Sequence, residues 1–251
     1  DLDNTNLSGA DLSHSVLYKA DLSNTNLTYA NLSYANLCGG DYGPEGRFVP
    51  GLDKVAAFDF TGTDLSHADF DHANLAFVFL TDANIRYTNF QDSNLTYVDL
   101  SGMDLTGTIL TEADLTNANL TGVDLSGKDL TGTILTGVDL SGVNLTGTIL
   151  TGVDLSGMDL SGVNLTGTIL TGVDLSGMDL TGTILTEADL TNANLTGVDL
   201  SGKDLTGTIL TGVDLSGVNL TGTILTGVDL SGMDLSGVNL TGTILTGVDL
   251  S

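Results

Sequence analysis

The chain has 251 residues, with 32 acidic against 6 basic side chains and a formal net charge of −26. That balance argues against direct binding to nucleic-acid phosphate, while 41% hydrophobic and only 15% charged residues argue against a disordered acidic tail. Apolar residues recur at fixed short intervals, so no stretch approaches the roughly 18–20 needed to span a membrane, and Cys38 as the single cysteine leaves no intrachain disulfide and no thiolate zinc cluster.

Taken in chain order, residues 1–40 carry Leu2, Leu7, Leu12, Leu17, Leu22, Leu27, Leu32 and Leu37 on a five-residue beat, usually with Asp or Asn just before. The beat fails over 41–56, where Pro44, Pro50 and several glycines mark a loop. It resumes at Phe60, out of step with Leu37, so the loop is a true insertion. Residues 57–100 are diversified repeats with centres such as Leu65, Phe70, Leu75, Ile85 and Phe90. Residues 101–251 are a regular shaft in which 101–175 and 176–250 are identical in sequence. A five-residue period leaves no room for a helical 3.6-residue pattern, and abundant Gly, Thr and Asn oppose helix as well. The chain opens on Asp1 with no Met and stops at Ser251 in mid-repeat, which reads as a piece of something longer.

The triplets Ala10-Asp11-Leu12, Ala20-Asp21-Leu22, Ala30-Asn31-Leu32, Ala35-Asn36-Leu37, Ala68-Asp69-Phe70, Ala73-Asn74-Leu75, Ala113-Asp114-Leu115 and Ala118-Asn119-Leu120 resemble the motif of the pentapeptide-repeat family, over nearly the whole chain apart from the insertion. The resemblance implies an all-β fold: a right-handed quadrilateral parallel β-helix with four pentapeptides per coil. The central Leu or Phe and the residue two before it would point inward. About twelve coils at the usual strand spacing make a rod of roughly 55–60 Å. Asp or Asn before each centre suits tight corners, because both accept local backbone bonds.

Departures from the motif carry further expectations. Val123, Thr108 and Met158 replace the inward Ala, which enlarges the load on the bore and opens corners. Lys128 and Lys203 also occupy inward slots. Each is either an ammonium held by the Thr hydroxyls one coil away or a side chain that snorkels at a corner toward Asp129 or Asp204. Ile replaces the outward Asp or Asn at several positions. Ile149 with Ile169, and Ile224 with Ile244, should stack and are candidate lateral-packing positions. Each identical block fills three coils and three further sides, so the second is turned by a quarter relative to the first. That favours spacing or assembly over recognition by one continuous face.

Tandem copying multiplies like residues, whereas an active site needs unlike ones, so no catalytic residue, cofactor or metal is expected. His67 and His72 near Asp64, Asp69 and Asp71 fall on adjacent sides, poor geometry for a shared ion, and His14 lies on a more distant coil. The column Asp139, Asp159, Asp179, Asp199 reads as corner chemistry that keeps the chain soluble, or as a cation site or a mimic of a nucleic-acid backbone. All Tyr, Phe, His and Arg precede residue 98. Tyr18, Tyr29, Tyr34, Phe77, Phe79, Tyr87 and Tyr97, with Arg47 and Phe48 of the loop, are the candidate partner contact.

Two functions follow as expectations. The first is a non-enzymatic structural rod that self-associates end to end into a fibre or appendage, or contacts another protein, because uncapped β-helix ends expose strand edges. The second comes from the resemblance: some pentapeptide-repeat proteins mimic B-form DNA in size and charge and bind DNA gyrase. In those, a C-terminal helix makes the dimer, and nothing helical follows Leu250.

Overall fold

The computed structural model describes residues 2–17, 20, 22–37 and 58–251, in two compact units, Asp1–Val123 and Asp124–Ser251. The insertion expected over 41–56 lies outside the described residues.

Both units are built from one turn repeated every five residues. The carbonyl of each centre accepts the N–H three residues on, as Leu145 does from Thr148 at 3.0 Å, and the second residue after the centre has positive φ, as Gly147 does at 67°. A positive φ at the third position of a four-residue turn favours Gly, which has no Cβ to clash. The outward Asp or Asn before the centre fixes the corner: Asp104 Oδ1 accepts both the N–H of Thr106 at 2.9 Å and its hydroxyl at 2.5 Å. This is the local bonding for which Asp and Asn are selected in turns.

Coils stack as parallel single-residue bridges, each residue pairing with the one four repeats further on, as in Ile149↔Ile169 and Asp174↔Asn194. Four turns between bridged partners make each coil four-sided. Around the insertion the bridges become Asn26↔Asp64, Asn31↔Asp69 and Asn36↔Asn74. The chain therefore re-enters the stack in register: the insertion lengthens one coil, and the sides stay aligned.

Centres fill the bore. Leu115, Leu125, Leu145 and Leu165 are fully buried, and in the first unit Phe60, Phe70 and Phe90 take the same role, with Phe70 and Phe90 stacked at 5.5 Å. The slot two before each centre also faces in. Most Thr there bond from coil to coil, the hydroxyl reaching the carbonyl of the preceding coil's centre, as Thr148 to Leu125 at 2.9 Å and Thr183 to Leu160 at 2.8 Å, whereas Thr108 donates to Leu105 of its own turn. A buried hydroxyl must find such an acceptor.

The expectation that larger inward residues open the bore holds for some of them and fails for others. From Thr88 to Val228 every Ala, Ser, Thr and Val in the inward slot is buried. Met103, Lys128, Met158, Met178 and Lys203 are only half-buried, as is Met233. Val and Thr fit because they branch at Cβ and end there. Met and Lys are too long for a slot walled by two coils, and the coils part beside Met103, Met158, Met178, Lys203 and Met233. Ile85, Leu140, Leu160, Leu185 and Leu215, which face the residue after Met103, Met158, Met178, Lys203 and Met233, lack the ladder bond that Leu150 makes to Ile169 at 2.8 Å. So do the centres one side earlier, Leu80, Leu135, Leu155, Leu180 and Leu210. The long side chain sits at the corner between two sides, and both open. The bond is also missing at Leu145, Leu195 and Leu220, and nothing in the structure explains those three places.

Candidate functional site

The positive-φ corner position is Gly through most of the shaft, but in residues 14–97 it carries His14, Tyr29, Tyr34, His67, His72, Phe77, Tyr87 and Tyr97. A side chain in this conformation costs about 1–2 kcal/mol relative to Gly. Stacking offsets that cost. At one corner Tyr29, His67 and Tyr87 lie ring on ring, with centroids 4.7 and 4.8 Å apart and planes within 12°. At the next corner His14, Tyr34 and His72 stack at 4.9 and 4.7 Å. At the third, Phe77 stacks on Tyr97 at 4.6 Å. These spacings match the rise between coils, so the fold itself sets the rings at stacking distance, each pair contributing about 0.5–1.5 kcal/mol.

The candidate contact residues are thus brought together as columns rather than as a patch, with the histidines interleaved among the tyrosines. His14, expected on a distant coil, shares its column with His72, one ring away. The signal for this was in the sequence: Tyr29, His67 and Tyr87 sit two residues after a centre and one coil apart once the insertion is allowed for. Because faces are used up in stacking, the columns present ring edges and the Tyr hydroxyls. The first of these columns ends where Tyr87 leans over Gly107, whose missing Cβ would otherwise lie 2.2 Å from Tyr87 Cδ1. Arg86 pairs with Asp104 at 3.4 Å and sits 5.8 Å from the Tyr87 ring centroid. Phe79 stands apart, on the side of a coil where Asp, Asn or Ile is usual, and is 55% exposed. Tyr18, Arg47 and Phe48 lie outside the described residues.

His72 Nδ1 is 2.9 Å from Asp71 and its Nε2 is 3.8 Å from Asp92. The three offer ligand atoms within 4.8 Å of one another. The group is shallow, and Asp71 already occupies Nδ1. His67 belongs to the neighbouring corner, as expected.

In the Asp124–Ser251 unit, Ile149 and Ile169 stack in register, as do Ile224 and Ile244, on two different sides. Ile244 is exposed and the other three are half-buried. Outward carboxylates are held in their charged form by local donors. Asp139 lies below the usual carboxylate range because the N–H and hydroxyl of Ser141 bond to it. Asp159 is lowered by Ser161 in the same way, against opposing repulsion from Asp179 and Asp139. Where Asn alternates with Asp the column is bonded instead, Asn144 Nδ2 donating to Asp124 Oδ1 at 3.0 Å. Lys203 resolves differently from both expectations. Its Nζ donates to the backbone carbonyls of Leu180 and, at 3.3 Å, Thr183. The bond to Leu180 is the one an inward Thr hydroxyl makes, from the same slot to the same acceptor. Burial pushes the ammonium below its ordinary value, with Asp179 and Asp199 opposing.

The family model for pentapeptide repeats matches in eight copies, over residues 5–41, 57–86, 80–112, 113–152, 148–187, 179–212, 188–227 and 214–251. The chain belongs to the pentapeptide-repeat family. Its fold is accordingly the right-handed quadrilateral β-helix of that family. No curated protein matches the chain. Among solved structures it is similar to HetL, a pentapeptide-repeat protein involved in heterocyst differentiation regulation from the cyanobacterium Nostoc, at 25% identity over 98% of this chain and 90% of that one, with a TM-score of 0.34. It is also similar to full-length QnrB1, a plasmid-mediated fluoroquinolone resistance protein, at 18% identity over 98% and 92%, TM-score 0.27. A third is the pentapeptide-repeat protein Rfr23 from the cyanobacterium Cyanothece, at 27% identity over 61% and 89%, TM-score 0.27. Among the described residues no helix is long and apolar enough to cross a membrane.

Proposed function

We propose that this pentapeptide-repeat protein is a non-enzymatic scaffold that works by protein contact, with its ring-bearing corners giving specificity and its shaft giving length. The observation that carries this reading is the strain at the corners: eight ring-bearing residues hold positive φ between 14 and 97, where Gly serves the fold elsewhere at no such cost. Strained backbone that the fold does not need points to function, and exposed Tyr edges are the usual anchors of protein interfaces. The finer form of the reading is self-association end to end into a fibre. Its support is the coil-to-coil ladder, a bonding pattern that any coil can offer to another copy, with Ile149/Ile169 and Ile224/Ile244 available for side contact.

Sedimentation velocity and negative-stain microscopy over a concentration series test it. Association should grow with concentration, and fibres should thicken as salt screens the charge. Tyr29→Gly, Tyr34→Gly and Tyr87→Gly together should abolish association with little change in melting. A chain that stays monomeric at every salt and concentration sinks the self-association form of the reading.

A second reading is an acidic mimic of the DNA backbone. It is favoured by the Asp139–Asp159–Asp179–Asp199 column of outward carboxylates, each of which accepts the N–H and hydroxyl of the Ser or Thr two residues on. Inhibition of gyrase supercoiling by the monomeric chain would promote it, and loss of that inhibition on Asp→Asn exchange along the column would tie it to the charge.

A further inference from the structure

Three grooves among the described residues lie where an oversized inward residue parts the coils. Two of them, at Lys203 and Met233, are lined chiefly by Gly, Thr, Ser and Asp. The groove at Met103 differs. It has a volume of about 630 Å3 and runs between residues 77–82 of one coil and 97–103 of the next. The stacked Phe77 and Tyr97 form one wall. Phe79 and Met103 add apolar surface, and Asp82 and Asp99 supply two carboxylates. The parted ladder leaves the N–H groups of Leu80 and Ile85 without a hydrogen-bond partner among the described residues.

We propose that this groove docks an extended segment of another protein in which a large apolar side chain stands beside a lysine or arginine. The proposal rests on the protein-contact reading above and narrows it to one groove and one partner chemistry. Each half of that chemistry has its own counterpart. Phe77, Phe79, Tyr97 and Met103 provide an apolar seat where an anchor side chain loses water. Asp82 and Asp99, on a chain of net charge −26, select a cation: an acidic segment is repelled, and a purely apolar one would desolvate both carboxylates with nothing to pair them. The Leu80 N–H, freed by the parted coils, is a donor for a backbone carbonyl of the docked segment, as in recognition of extended peptides at a sheet edge. Phe79 replaces an outward Asp or Asn, and its ring is more than half exposed.

The test uses the full chain and a fluorescein-labelled, capped heptapeptide with one phenylalanine between two arginines and glycines outside them, read by anisotropy. Its control has glutamates in place of the arginines. The arginine peptide should bind at least about tenfold more tightly than the glutamate peptide, and its affinity should fall as salt rises from about 50 to about 300 mM. Phe79→Asn, which restores the ordinary outward residue, should weaken binding about tenfold or more. Met103→Val, which lets the coils close, should do the same without touching an exposed ring, and Ile209→Asn in the other unit should change nothing. Absence of binding, equal binding of the two peptides, or indifference to Phe79→Asn overturns the proposal. Binding that appears only when Arg47→Ala and Phe48→Ala are introduced assigns the groove to the chain's own insertion and overturns it equally. Failure here is separable from failure of the contact reading. If the peptide does not bind but the Tyr→Gly variant loses association, the groove falls and the contact reading stands. Peptide binding by a chain that never associates keeps the groove and removes self-association.

Discussion

The corners of residues 14–97 and those of the shaft solve one problem in two ways. Every corner needs positive φ. In the shaft Gly supplies it almost everywhere, as at Gly142, Gly147, Gly152 and Gly157, with Glu112, Asn117, Glu187 and Asn192 as the exceptions after residue 100. In the first region Tyr, His and Phe occupy most of these positions and recover the strain by stacking on the neighbouring coil. The difference teaches that the corner is a free variable of this fold. It tolerates any side chain that can rest on its neighbour one coil away, so surface chemistry can be written there without disturbing the bore. The inward slot is the opposite case: a side chain that runs on past its branch point parts the coils.

The largest effect should come from breaking what the two regions share. Leu145→Asp places a carboxylate in a fully buried centre with no partner, and should lower stability by at least about 3 kcal/mol. Thr146→Asp, one residue away and facing outward, should change it by less than about 0.5 kcal/mol. Equal shifts in thermal melts would mean that the inward and outward faces are wrongly assigned.

Corner substitutions sharpen the contrast itself. Gly157 has positive φ with nothing near its would-be Cβ, whereas at Gly107 that atom would meet the Tyr87 ring. Gly157→Ala should therefore cost about 1–2 kcal/mol, the strain alone. Gly107→Ala should cost more by about 0.5–1.5 kcal/mol, because Tyr87 must swing off His67. Ring-current shifts of the Tyr87 and His67 protons would report that movement, and their persistence in Gly107→Ala would show that the column is not closed by Gly107.

Much of this was legible in the sequence, and what was not has a physical cause. Centres, inward slots and the five-residue turn follow from Leu105, Leu110 and their successors, because one period governs every coil. Two links of the corner columns were hidden by the insertion: Tyr29 and His67, and Tyr34 and His72, look unrelated until the extra residues between them are taken out, whereas His14 with Tyr34, His67 with Tyr87 and Phe77 with Tyr97 are plainly 20 residues apart. The coil openings were half legible. Met158 and Val123 both depart from Ala, but only the packing of two coils around the slot shows that Val fits and Met does not. Lys203 could not be placed from its neighbours, since the acceptors it found are backbone carbonyls, which no side-chain pattern announces.

The openings make a prediction of gain. Met178→Val should let the N–H groups of Leu155 and Leu160 reach the carbonyls of Asp174 and Asp179 again. Each restored bond is worth about 0.5–1.5 kcal/mol, less the apolar area lost with the longer side chain. Amide exchange at Leu155 and Leu160 should slow. If it does not, the Met side chain is not what parts the coils.

The smallest effect concerns Lys203, where the same slot holds a charge. Its proton is bound more weakly in the folded chain than in the unfolded one, because burial disfavours the ammonium more than Asp179 and Asp199 favour it. The unfolded chain therefore holds more protons between the folded value and the unfolded value near 10.5, and stability must rise with pH across that window. Below the folded value the penalty is constant and fully present. Lys203→Thr removes the charge and supplies the hydroxyl that Thr183 uses on Leu160, so the variant should be the more stable chain at neutral pH. The gap between the two should then narrow as pH climbs toward 10.5. Taking the difference of melting temperatures between the two chains cancels the tyrosines, which titrate in the same range but are common to both. A difference that is flat from about pH 8 to about pH 11, or that widens, would mean that the ammonium is fully solvated and that its bond to the Leu180 carbonyl does not hold it in the slot.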